Sequence, residues 1–212
     1  MSQKPSLNSD FDLAALTKIH NPLPVMNRYL PLGLIIGLLI AFRILASILP
    51  PTQPNFQPLV ALFFCGALMA KGWRGFVIPF GIWVVTYPFA QGPVWDFSIF
   101  LTTLIALSAT FLLGKTLSHR GIPALLVGSV TAALLFHLFT NGAAWIADPI
   151  YEKSLVGLWQ SLWTGPPGSP LPSWVFLRNL AAANLLFTGI FAGAQLHLPK
   201  SEISTRRAAL AK

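Results

Sequence analysis

Charge is what this sequence has least of. Only 9% of its 212 residues are charged and just six are acidic, against 54% hydrophobic residues and a mean hydropathy of +0.66. A soluble protein carries about 25% charged residues, so this chain cannot cover a water-facing surface. The same figures exclude a coiled coil, a collagen-like chain and intrinsic disorder. The lone cysteine, Cys65, rules out an internal disulfide and sits in an apolar run, where a buried thiol is expected. Low-charge apolar runs recur along most of the chain, as helical spans require. The composition predicts an all-α, polytopic membrane protein.

The apolar runs number six, at about 29–49, 57–71, 75–91, 95–114, 122–147 and 175–197. They define a membrane domain over 29–197, preceded by a polar tail (1–28) and followed by a basic one (198–212). The second and third runs are short: roughly 15 residues cover only ~22 Å of a ~30 Å hydrocarbon core. Such segments either tilt behind shielding neighbours or start inside the membrane from a re-entrant loop. The loop before the second run holds Pro50, Pro51, Pro54 and Pro58 and cannot be helical. Residues 148–174 form the longest connection and carry Tyr151, Trp159, Trp163 and Trp174. These rings read either as an interfacial belt or as part of a lid.

The basic residues are not spread evenly. Lys4, Lys18, Arg28, Lys71, Arg74, Lys115, Arg120, Lys200, Arg206, Arg207 and Lys212 fall on one side of a six-span chain. Lys153 lies on the other, beside Asp96, Asp148 and Glu152. By the positive-inside rule both termini are cytoplasmic, and five or seven spans would split the basic loops. The net charge of +8 is thus a topology signal and not a nucleic-acid footprint.

No catalytic constellation is visible, and an enzyme is not expected. Apart from Asp96 at the outer edge of the fourth, the spans hold no carboxylate, which weakens proton-coupled transport and intramembrane acid–base chemistry. His20, His119, His137 and His197 are scattered without metal-ligand spacing, so no metal or other cofactor is expected. Residues 109–116 (ATFLLGKT) fit a loose phosphate-loop pattern. They close an apolar span, however, so their amides are spent within a helix.

Two arginines lie inside spans. Arg43 is about six residues from the end of the first, and Arg178 about three residues into the sixth. Each must snorkel outward, bind carbonyls, or meet an anionic or carbonyl-rich ligand. His137, Asn141 and Trp145 recur at i, i+4, i+8 and share one face of the fifth span. Asn55 and Gln57 in the proline loop, and Asn179 beside Arg178, fall at the same level. These eight residues are the candidate ligand-binding set; the alternative is a hydrogen-bond network that only holds helices together. Gly33, Gly37 and Ala41 form a small-residue stripe on the first span, suited to close approach of another helix. Similar stripes occur at Ala124, Gly128 and Ala132, and at Gly189 and Gly193.

Several segments resemble an uncharacterised family of small bacterial membrane proteins grouped with the substrate-binding S components of energy-coupling-factor (ECF) transporters. They are Arg43 with Leu49-Pro50-Pro51, Pro54-Asn55-Phe56-Gln57-Pro58 leading to Ala61-Leu62 and Gly66-Ala67, and Thr140-Asn141 with Trp145. Tyr151 with Ser154-Leu155-Val156-Gly157-Leu158, and Arg178-Asn179 followed by Leu185-Leu186-Phe187-Thr188, complete the set. The resemblance implies a six-helix bundle in the bacterial inner membrane that binds a vitamin or similar micronutrient from outside. It also implies docking on a transmembrane coupling subunit driven by two ATPase subunits, with Gly33, Gly37 and Ala41 as the docking stripe. The chain departs from the family at Asn184 and near Thr86-Tyr87, where an acidic residue is common. The competing expectation is a structural or accessory membrane subunit with no ligand of its own.

Overall fold

The computed structural model describes Gly37 and residues 40–45, 54–69, 72–91 and 96–197. The expected tails (1–28 and 198–212), Gly33 and residues 50–53 of the proline loop lie outside them. The chain divides into two units, Met1–Leu38 and Leu39–Lys212; in the first, Gly37 is helical and exposed. Within the second, α1 (40–45) is followed by α2 (Leu59–Met69), α3 (Arg74–Gln91), α4 (Phe97–Leu117) and α5 (Ile122–Ala147). Then come a short α6 (Leu155–Trp159), a π-helical turn (Gln160–Thr164) and α7 (Ser173–His197). No strand occurs among the described residues.

Three helices, α4, α5 and the Ser173–Gly193 part of α7, are long and apolar enough to cross a membrane. Their ends follow local chemistry. The fourth run was expected to begin at 95, but the helix starts at Phe97 because Asp96 caps it, its Oδ1 accepting from Ser98 N–H at 2.8 Å and Ile99 N–H at 3.0 Å. Residues 109–116 lie inside the unbroken α4, so they form no phosphate loop.

The outer surface differs from a soluble protein's in carrying many large apolar side chains. Large apolar side chains such as Val85, Phe97, Leu112, Val127, Ile146 and Ile190 are exposed, while Thr86, Thr110, Ser129, Asn184 and Thr188 are buried. That distribution suits hydrocarbon as solvent. Thr86, Thr110 and Ser129 return their hydroxyl protons to carbonyls one turn back, at 2.7–2.8 Å.

The short second run finds its reason here. From Pro58 to Gly66 every residue of α2 and its approach is buried, and α3, α4, α5 and α7 all pack against it. A helix apolar all round belongs in a core. Being shielded by neighbours, it need not match the full hydrocarbon thickness by itself. Glycine sets how closely they approach: a Cβ on Gly66 would lie 2.1 Å from the Gly75 carbonyl oxygen, and one on Gly114 1.9 Å from that of Phe64. Gly128 likewise abuts the Phe64 ring, so the α5 stripe is internal packing. Aromatic contacts fill the α2–α3–α4 wedge, with Trp83 stacked on Phe100 at 4.6 Å and Phe63 edge-on to Phe76 at 5.4 Å.

Candidate ligand-binding site

Arg43 is 4% exposed and reaches two other elements at once. Its Nε donates to Thr86 Oγ1 at 2.6 Å and its Nη1 to Gln57 Oε1 at 2.7 Å. Thr86 can accept because its own proton is directed to Ile82 O within α3. Gln57 is held by the turn before α2: its N–H donates to Asn55 O at 2.9 Å, with Asn55 in the left-handed region at φ 60°. Asparagine tolerates that conformation better than most residues. Phe42, Phe56 and Phe187 meet beside this group with ring centroids 5.4–6.5 Å apart.

The beginning of α7 joins the same loop. Asn179 is buried; its Nδ2 donates to Pro54 O at 3.1 Å, and its Oδ1 accepts from Arg178 Nε and Nη2, both at 3.2 Å. The Arg178 guanidinium also lies over the Trp174 ring, 5.3 Å from its centroid. Arg178 is itself exposed, as a side chain reaching toward the interface would be.

A second group centres on His137. Its Nε2 lies 2.8 Å from Leu162 O, and Asn141 Nδ2 lies 3.1 Å from its Nδ1 and 3.0 Å from its carbonyl. Only one tautomer satisfies both contacts: Nε2–H donates to Leu162 O while Nδ1 accepts from Asn141. The i, i+4 relation on α5 is therefore real. Trp145, one turn further on, belongs to neither group: its indole N–H donates to Glu152 O at 2.9 Å. Tyr151 is buried nearby, and that burial, followed by the charge of Asp148, pushes its phenol above the usual value.

Of the eight candidates, the structure brings Arg43 to Gln57, Asn179 to Arg178 and the loop, and His137 to Asn141. Asn55 contributes its carbonyl, its side chain being exposed. The sequence reading missed Thr86 as the partner of Arg43, although it is a lone polar residue in an apolar run. It also missed the carbonyls of Pro54 and Leu162, which carry no side-chain signal at all. Deeper in the bundle, Asn184 is fully buried; its Nδ2 donates to Ser129 O at 3.0 Å, and its Oδ1 has no hydrogen-bond partner among the described residues. Cys65 Sγ lies 3.7 Å from Thr188 Oγ1 and is buried, as an apolar thiol should be. Among the described residues no three His, Cys, Asp or Glu side chains gather as metal ligands.

The chain matches a family of unknown function, DUF6580, over residues 25–206, and it belongs to that family. No curated protein and no solved structure matches it.

Proposed function

We propose that this DUF6580 protein is a membrane-embedded substrate-binding subunit for uptake of a vitamin-like micronutrient, comparable to the S components of ECF transporters. In this reading six spans cross the bacterial inner membrane with both termini cytoplasmic, and the Arg43 end of the bundle opens outward. The observation that carries it is Arg43. A guanidinium buried inside an apolar bundle, and held by the neutral acceptors Thr86 and Gln57, is poised to exchange one of them for a carboxylate, phosphate or amide oxygen. The Gly33, Gly37 and Ala41 stripe would be the docking face for a coupling subunit.

A thermal-shift screen of the purified protein against small polar micronutrients tests this reading. A hit should stabilise the wild type and not Arg43→Gln. A screen in which every shift is equal in both proteins would argue against it.

One observation favours the structural reading. The bonds of Arg43 to Thr86 and Gln57, and of Asn179 to Pro54 O, each tie two separate elements, as a bundle-holding network would. If Arg43→Gln lowers stability as much without ligand as with it, the accessory-subunit reading is the better one.

A further inference from the structure

A crevice of about 400 Å³ lies on the exposed side of α4 and α5, with no arginine in its lining. Ile105 of α4 forms one wall, Leu138, Phe139 and Ile146 of α5 the other, and Leu158 of α6 also lines it. From Leu138 to Ile146 it follows about 12 Å of helix axis. Gly142 lies midway, and a Cβ added there would meet no atom within 4 Å, so its missing side chain leaves the space open. Both walls belong to helices able to cross a membrane, and Ile105, Leu138, Phe139 and Ile146 are all exposed. Hydrocarbon is therefore the medium at this face. The volume lies low in the ~300–1,000 Å³ range of small-ligand pockets, and a packing helix about 10 Å across would not enter it.

The Trp145 end of the crevice carries charge of both signs. Lys153 Nζ donates to the carbonyls of Trp145 and Asp148, which fixes an ammonium at the C-terminus of α5. Asp148 and Glu152 are exposed beside it. An apolar slot ending in a cation with two neighbouring carboxylates matches a zwitterionic phospholipid: acyl chain in the slot, phosphate on Lys153, ammonium toward the acids.

We propose that this crevice is a binding site for one zwitterionic phospholipid, independent of any transported ligand. The test is native mass spectrometry of the full chain released from nanodiscs holding equal phosphatidylethanolamine and phosphatidylglycerol. The wild type should carry one phosphatidylethanolamine. Gly142→Phe fills the slot from α5 and Ile105→Trp from α4; each should lower that occupancy about tenfold, the effect of losing some 1.4 kcal/mol of contact. Gly142→Ala, which is too small to fill it, should keep the lipid. A wild type that carries no phospholipid, or filled variants that retain it as fully, would overturn the site. Preferential retention of phosphatidylglycerol would overturn its headgroup chemistry.

Discussion

At the scale of single residues, the polar groups inside this protein work by bridging. Thr86 accepts from Arg43 with one lone pair while donating to its own helix, so a hydroxyl is needed and its methyl is not. Thr86→Val should destabilise the protein by about 1–3 kcal/mol, the penalty for orphaning a buried donor, whereas Thr86→Ser should be close to neutral. Thermal unfolding in detergent would distinguish them. His137 makes a similar bridge to Leu162 in the π-helical turn. Glutamine can place an amide N–H where Nε2–H stood, so His137→Gln should keep residues 155–164 protected from hydrogen exchange. His137→Ala should expose them.

At the scale of helices, the glycines divide into those that admit a neighbour and those that face outward. Gly114→Ala would drive a Cβ into the Phe64 backbone and should lower thermal stability clearly. Gly189→Ala meets nothing within 4 Å and should be neutral or gain about 0.5–1 kcal/mol from helix propensity. This contrast was only partly legible in the sequence. Small-residue spacing singled out Gly128 and Gly189 alike, although one is buried against Phe64 and the other is open. Spacing gives the face of a helix and not what covers it. The bounds of α5 and the shortness of α2 were readable from hydropathy. The central position of α2 was not, because a helix apolar all round has no moment to orient it.

At the scale of the whole molecule, many large apolar side chains on the outside, with a few polar ones held within an apolar core, fit a protein made for lipid. Composition alone carried that conclusion. The pairing of His137 with Asn141 was legible from their spacing, but the bonds of Arg43 and Asn179 were not, since they run to a threonine and a backbone carbonyl that spacing does not mark. If both termini are cytoplasmic, reporters at the two ends and at Arg74 should be protected from external protease, and one at Gly168 cleaved. Binding is the central claim, and the most direct measurement is mass spectrometry of small molecules retained by the protein after gentle purification. The wild type should release one polar compound in near-equal amount to protein, and Arg43→Gln and Asn141→Ala, though inserted normally, should have lost it. A wild type that releases no such compound, or variants that release it in the same amount, would contradict the account.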